Sequence, residues 1–214
     1  MLAQRKFSRK TARFCLPNWL HPFLLFATLD DMSNQKQHQP TYIVDRFPGP
    51  DPYAPLVDLP PLEVTSASFN DGDELPAAQC GDSISPQLSW EKGPEGTKTY
   101  AVTCFDPDAP TASGFWHWAV FNIPADVTSL ALNAGDEELI GLPEGATALK
   151  GDSGSRGYYG AQPPEGHGPH RYLYAVHSVD DELDIDDSET ATKLGFNLNF
   201  NATARGIIWG WTEN

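Results

Sequence analysis

The chain has 214 residues, of which 40% are hydrophobic and 20% charged, and its formal net charge at pH 7 is -15. This length and composition suit one well-buried domain with some chain left over. The acidic surface repels phosphate backbones and argues against nucleic acid as a partner, and no run approaches the roughly 20 apolar residues of a transmembrane segment.

Residues 1–31 are predicted to be an N-terminal extension outside the domain. Five basic side chains come first, and an apolar stretch from residue 14 to residue 29 follows, interrupted by Pro17 and Pro22. The stretch has some features of an export signal, but no small-x-small cleavage pattern ends it. We therefore favour a disordered or mis-started extension, with Met32 as an alternative start, over a weak signal or an interfacial anchor.

Residues 32–61 are predicted to be a proline-rich arm that precedes a domain spanning residues 62–214. The arm contains seven prolines, which forbid a regular helix or a central strand. We expect the arm to lie along the surface of the domain, where Tyr42, Phe47 and Tyr53 can anchor it.

Beyond residue 62, short β-type runs alternate with turns rich in Gly, Pro and Asp, which is typical of all-β domains. The runs are Leu62–Phe69, Gln87–Trp90, Thr99–Phe105, Phe115–Ile123 and Tyr172–Val179. Together they predict an all-β sandwich. Helix is predicted only near the C terminus, and no internal repeat is present.

Two C-terminal helices are predicted from capping residues. Asp187 and Ser188 can cap a segment from residue 189 to about residue 200, and Asn201 can cap a second segment through Trp209.

The three cysteines, Cys15, Cys80 and Cys104, have no metal-site spacing and no even-numbered disulfide framework. Cys104 lies inside an apolar run, so we expect a small buried thiol that stays reduced in a cytoplasmic protein. A disulfide between Cys80 and Cys104 is the alternative.

The run 115–123 is apolar on both of its alternating faces, so it is predicted to be a central strand covered on both sides. Strict alternation places Trp116 and Trp118 on one face and His117 on the other. A buried imidazole needs a hydrogen-bond partner. Taken alone, this strand favours a core histidine bonded to a backbone carbonyl.

Asp106 and Asp108 lie in the turn Asp-Pro-Asp-Ala-Pro, whose Pro107 and Pro110 each fix φ. Such a carboxylate often only caps its own turn. The functional alternative is that one of them bonds an imidazole, which favours the charged ring and makes it a better donor to an anion.

A second stretch, residues 151–174, combines many glycines and prolines with a His-Arg-Tyr triplet. Glycines allow backbone N–H groups to approach a ligand closely, although a merely flexible surface loop has the same composition. Alternation after the loop places His170 and Tyr172 on one face and Arg171 on the other. His170 and Tyr172 are therefore the expected pocket residues.

Metal and nucleophile chemistry are poorly supported by the spacing of these residues. His167 and His170 are three apart, and Asp106 and His117 could join them, but no second compact ligand pair exists. The Gly-Asp-Ser-Gly-Ser segment lacks the strand-to-helix elbow of a serine hydrolase. We predict no metal, no cofactor and no catalytic residue.

Two motifs in this order are specific together: Asp-Pro-Asp-Ala-Pro with Trp-His-Trp and Asn-Ile-Pro, then Gly-Tyr-x-Gly and Pro-Pro-x-Gly-His-Gly-Pro-His-Arg-Tyr. Over residues 62–211 the chain resembles the phosphatidylethanolamine-binding protein family, in its bacterial Raf-kinase-inhibitor-like branch. The resemblance implies a Greek-key β-sandwich with short flanking and C-terminal helices, and a small anion pocket at one edge. Carried over by motif, the anion-binding residues are Asp106, Asp108, His117, Gly160, Pro163, Pro164, His170 and Tyr172.

One position departs from the family pattern. Many relatives have Gly-Pro-x-Pro-Pro where this chain has Gly160-Ala161-Gln162-Pro163-Pro164. The stiffness of the loop, and with it the size of the accepted anion, is expected to differ from those relatives.

Our main hypothesis is a cytoplasmic, non-enzymatic module that binds phosphate, a phosphoryl headgroup or a carboxylate through His117, His170 and Tyr172. The second hypothesis is a regulator that presents the pocket rim to a kinase or protease. The third is a hydrolase that uses an Asp/His pair as acid and base. Resemblance to bacterial relatives also implies a homodimer.

Overall fold

The structure, a computed structural model, describes residues 48–214, and most of their regular structure is β-strand. The strands are β1 (Val64–Thr65), β2 (Leu88–Trp90), β3 (Thr99–Asp106), β4 (Phe115–Pro124), β5 (Ser129–Leu130), β6 (Thr147–Ala148), β7 (His170–Val179) and β8 (Ala202–Thr212). A short 3₁₀ helix spans Ala77–Gln79, and helix α1 spans Ala191–Asn201. None of the helices in this part of the chain is long and apolar enough to cross a membrane.

The strands form two antiparallel sheets, which confirms the mostly-β prediction. One sheet has the order β1-β2-β5, and the other has the order β6-β4-β3-β7-β8. The Greek-key connectivity implied by the family resemblance stays a prediction.

The main core lies between the two sheets. Apolar side chains of β2 and β5 meet those of β3, β4 and β7, with members Leu88, Trp90, Leu130, Tyr100, Val102, Cys104, Trp118, Val120, Tyr174 and Val176. Strands β3 and β7 are buried along both faces, and apolar residues fill most of their central positions. Cys80 and Cys104 are free thiols, so the alternative disulfide is not formed.

The opposite face of the five-stranded sheet is covered by α1 and by the described part of the arm. Leu194 and Leu198 of α1 pack with Phe121 of β4. Tyr53 packs with Leu173 of β7, in agreement with its predicted anchoring role. The predictions for residues 1–31, and for Tyr42 and Phe47, lie outside the described residues, and the division into extension, arm and domain stays a prediction.

The second predicted C-terminal helix is wrong. Residues 202–212 form β8, which pairs with β7 along its length and buries every second residue. Gly206 and Gly210 allow this strand to pack closely, because a Cβ on them would overlap the Leu62 carbonyl oxygen and the Leu75 side chain. Asn201 is the last residue of α1 and begins no second helix.

The first predicted C-terminal helix exists, but its start differs from the prediction. Thr190 is the N-cap, and its hydroxyl accepts a hydrogen bond from the Lys193 backbone N–H at 3.2 Å. Asp186 and Ser188 instead belong to the preceding turn, where the Asp186 carboxylate accepts from the Ser188 N–H.

Candidate anion-binding site

A cavity of about 290 Å³ opens at one edge of the five-stranded sheet. Strand β3 ends there, and its neighbours β4 and β7 begin there, because both run antiparallel to it. The topology therefore brings the segment from Asp106 to His117 together with residues 163–172, which are far from it in the sequence. Six of the eight residues assigned from the resemblance line the cavity: Asp106, His117, Pro163, Pro164, His170 and Tyr172.

A β-bulge positions His117. The register shifts by one residue between Cys104 and Phe105 of β3, which makes His117 the extra residue of β4. Trp116 consequently packs towards α1, whereas Trp118 belongs to the core between the sheets. The predicted strict alternation of this strand is wrong, and the bulge is what lets His117 line the cavity.

The His117 ring is held by a backbone carbonyl, as its strand taken alone had suggested. Its Nδ1 lies 2.7 Å from the carbonyl oxygen of Tyr159, so Nδ1 carries the proton and Nε2 of the neutral ring is an acceptor. Burial lowers the pKa of His117, and the Tyr159 carbonyl and the Asp106 carboxylate only partly oppose this effect. The ring is enclosed by aromatic neighbours, with Phe115 and Tyr172 at centroid distances of 4.8 and 5.0 Å.

Asp106 and His170 form a buried pair beside the cavity. His170 Nδ1 lies 2.7 Å from Asp106 Oδ2, and the two side chains are 1% and 4% exposed. Nε2 of His170 lies 2.9 Å from Nδ1 of His167. Both ring nitrogens of His170 are therefore engaged by protein groups, and a ligand must displace His167 to reach Nε2.

Tyr172 contributes a hydroxyl that remains protonated. Burial raises the pKa of Tyr172, and the nearby Asp106 carboxylate raises it further. The phenol can thus donate to a ligand oxygen throughout the physiological pH range.

Asp108 does not line the cavity. Its two carboxylate oxygens accept from Nε and Nη2 of Arg171 at 2.7 and 2.9 Å, and the Arg171 backbone N–H also donates to it. Arg171 further donates to the carbonyl oxygens of Gly49 and Pro50. This cluster ties the proline turn to the start of β7 and to the arm, and it takes the guanidinium out of the cavity.

Gly160 is likewise a packing position outside the cavity lining. A Cβ there would overlap the Cys80 carbonyl oxygen, and its N–H donates to the Ser83 hydroxyl at 3.0 Å. The next residue, Ala161, donates its N–H to the Gln79 carbonyl at 3.0 Å. The proline that many relatives have at this position lacks that N–H, so this chain secures the loop by a hydrogen bond instead.

Several contributors were not assigned from the sequence. Gln162 and Phe115 line the cavity, and Asn214 holds the loop by donating to the Pro163 carbonyl. The sequence suggests His167 only as a metal ligand, whereas in the structure it contacts His170. Within residues 48–214, no group of three or more His, Cys, Asp or Glu side chains is placed to hold a metal ion.

Comparison with known proteins agrees with this fold and with the order of its motifs. The family model described as phosphatidylethanolamine-binding protein matches residues 65–211. Two Escherichia coli K12 proteins, UPF0098 protein YbhB and UPF0098 protein YbcL, are 42% and 41% identical over 155 residues. These alignments cover 69% of this chain, 97% of YbhB and 85% of YbcL.

A solved structure supports the same assignment. The crystal structure of E. coli YbcL, described as a member of the mammalian PEBP family, matches with a TM-score of 0.69 at 39% identity. The match covers 72% of this chain and 98% of the YbcL chain. The sequence match, the motifs and the shared fold together show that this chain belongs to the phosphatidylethanolamine-binding protein family.

Proposed function

We propose that this protein binds a small anion, namely phosphate, a phosphoryl headgroup or a carboxylate, in the cavity where β3, β4 and β7 meet. The observation that carries the proposal is the convergence of His117, His170 and Tyr172 on one cavity from separate parts of the chain. The proposed role is binding without a cofactor.

The cavity offers the Tyr172 hydroxyl as a donor but little net positive charge. Arg171 is already paired with Asp108, and Asp106 offsets any charge on His170. The lowered pKa of His117 keeps that ring neutral near pH 7. A dianion would meet little attraction there, because the whole chain carries a net charge of -15.

A monoanion that carries one O–H group fits this arrangement better. Its O–H can donate to Nε2 of neutral His117, while its other oxygens accept from the Tyr172 hydroxyl. Such a group is present in a phosphomonoester below its second pKa, which is about 6. The favoured ligand is therefore a singly ionised phosphate or phosphoryl group.

For a fully ionised ligand, binding should strengthen as the pH falls. The free protein keeps His117 neutral, whereas an anion beside the ring favours its charged form, so the complex takes up a proton. Proton uptake becomes easier as the pH falls towards the lowered pKa of the free His117 ring. Acetate is the clean probe, because a carboxyl group stays ionised above about pH 5.

Isothermal titration calorimetry with phosphate, phosphoethanolamine and acetate at about pH 6 and about pH 7.5 tests the proposal. His117→Ala should weaken binding by about tenfold or more, equivalent to about 1.4 kcal/mol. Lys98→Gln is the control, because Lys98 is exposed and lies outside the cavity lining. Absence of binding to the unmodified protein, or equal binding by His117→Ala, contradicts the proposal.

The other two hypotheses stay predictions with their own tests. A kinase or protease regulator would retain a stoichiometric protein partner from a native extract. A hydrolase would turn over generic esters and lose this activity in His170→Ala, because the Asp106 contact would orient His170 as the base. The cytoplasmic location, the Raf-kinase-inhibitor-like branch and the homodimer also stay predictions.

A further inference from the structure

We propose that a second cavity, on the opposite face of the five-stranded sheet, binds an amphipathic carboxylate with an apolar body, such as a medium-chain fatty acid. This cavity, named here the α1 cavity, lies between α1, the arm and the sheet, and its volume is about 420 Å³. Pockets that bind small molecules typically have volumes of about 300–1,000 Å³. The two cavities share no lining residue.

The walls of the α1 cavity are apolar and aromatic. Phe105 and Trp116 pack against each other with a centroid distance of 4.5 Å, and Leu198 of α1 also lines the cavity. Phe196 and Phe200 also line it and contact each other at 5.1 Å, yet they are 62% and 67% exposed. Large aromatic side chains exposed at the rim of an apolar cavity suit a ligand with an apolar body.

His177 provides an unpartnered donor in this apolar setting. It lines the α1 cavity and is 3% exposed. Its Nε2 accepts a hydrogen bond from Arg205 Nε at 3.1 Å, so the proton of the neutral ring lies on Nδ1. Within residues 48–214, this Nδ1 has no hydrogen-bond partner. A buried N–H without an acceptor is costly, so this part of the cavity wall is polar and incompletely satisfied.

Two hydroxyls belong to the same lining. Tyr53 and Thr103 lie near enough for Thr103 to oppose the effect of burial, which raises the pKa of Tyr53 to about 12. Neither hydroxyl, however, makes a well-formed hydrogen bond within the described part of the chain. Like Nδ1 of His177, both hydroxyls are buried behind the cavity wall, so the wall holds three polar groups without a well-formed hydrogen bond.

Arg205 supplies the charge that selects an anion. Three arginines lie within residues 48–214; Arg156 and Arg171 each pair with a carboxylate, whereas Arg205 has no such partner there. The Arg205 guanidinium lies over the Tyr53 ring at 5.2 Å and donates to the Val57 carbonyl. A half-buried guanidinium without an ion-pair partner in the described part of the chain, beside an apolar chamber, indicates a ligand with an anionic head and an apolar body.

Calorimetric titration of the full chain with sodium decanoate, and in parallel with n-decanol, tests this inference. Decanoate should bind one to one, and decanol should bind at least tenfold more weakly because it lacks the charge. Arg205→Gln should weaken decanoate binding about tenfold and leave decanol binding within twofold. Saturating phosphate should not displace decanoate.

A variant that fills the cavity provides the matched steric test. Gly195→Leu on α1 should abolish binding of both probes, because a side chain at this position extends towards Trp116 and into the cavity. The substitution also removes a helix glycine, so the helix should not be weakened. Decanoate binding that survives Gly195→Leu, competes with phosphate or equals decanol binding would overturn the inference.

Backbone NMR of the unmodified protein gives a readout that needs no variant. Decanoate should shift the amide signals of Gly195 and His177 and leave those of His170 and Tyr172 unchanged. Shifts confined to His170 and Tyr172, or no saturable shift, would refute a site in the α1 cavity.

Discussion

Each of the two faces of β7 carries a buried contact between a carboxylate and a nitrogen-bearing side chain, but the two contacts have different roles. On the cavity side, His170 pairs with Asp106; on the arm side, the next residue, Arg171, pairs with Asp108. Both carboxylates come from the same proline turn, and all four side chains are buried. The difference lies in the cation, because histidine can lose its proton near neutral pH whereas arginine cannot.

The two aspartates of this turn therefore differ in role: Asp108 stabilises the fold, and Asp106 borders the candidate site. The Arg171 cluster has a permanent charge, two parallel hydrogen bonds and two further backbone acceptors, so it fixes the turn and the arm. The His170 pair has a titratable partner, and it lies beside a cavity. Equivalent aspartates in one motif can therefore have unequal roles.

The largest expected effect comes from breaking the two pairs separately. Asp108→Asn leaves a buried guanidinium without a carboxylate and should lower the free energy of unfolding by about 3–5 kcal/mol. Asp106→Asn should lower it by only about 1–2 kcal/mol, because an imidazole, unlike a guanidinium, carries no permanent charge. Urea denaturation at about pH 7 measures both values, and equal losses would contradict the distinction between the two faces.

A second effect concerns His177, further along the arm-side face of β7. Burial, with a smaller contribution from Arg205, lowers the pKa of His177 to about 3. Below about pH 6.5 the unfolded chain therefore binds a proton at His177 that the folded chain does not bind. As the pH decreases, the free energy of unfolding decreases by at most about 1.4 kcal/mol per pH unit.

The test compares denaturation curves of the unmodified protein and His177→Gln between about pH 7 and about pH 4. Glutamine can still accept from Arg205, so the variant should fold and show a shallower loss of stability in acid. A pH dependence unchanged by the substitution would show that His177 is not the group responsible.

The smallest expected effect concerns the contact between His167 and His170 beside the cavity. His167→Ala frees Nε2 of His170, so phosphate should bind about two- to fivefold more tightly, equivalent to about 0.4–1 kcal/mol. Calorimetry measures this change, with Lys98→Gln, an exposed residue outside the cavity, as the control. Weaker binding in His167→Ala would mean that His167 contacts the anion instead of competing with it.

The sequence could predict the cavity because its three motifs coincide with strand ends. Asp106 ends β3, His117 follows the start of β4 and His170 begins β7, and these three strands are neighbours in the sheet. Alternation along β7 places Tyr172 in the cavity lining and Arg171 outside it. The resemblance supplied the order of the motifs, and the turn and strand signals supplied the local structure.

Other features had no local signal. The bulge at His117 and the Tyr159 carbonyl that fixes its ring depend on backbone geometry that side-chain patterns do not encode. The sequence predicts a helix where strand β8 forms. Gly206 and Gly210 are needed for contacts with residues far away in the chain, which the local sequence does not reveal. The contact between His167 and His170 depends on how the loop closes.

A crystal structure of the protein soaked in phosphate at about pH 6 tests the central claim most directly. We expect one anion in the 290 Å³ cavity, in hydrogen-bond contact with Nε2 of His117 and with the Tyr172 hydroxyl. His167 should be displaced from His170. An anion bound only elsewhere, or a cavity that contains no phosphate while His167 still contacts His170, would contradict it.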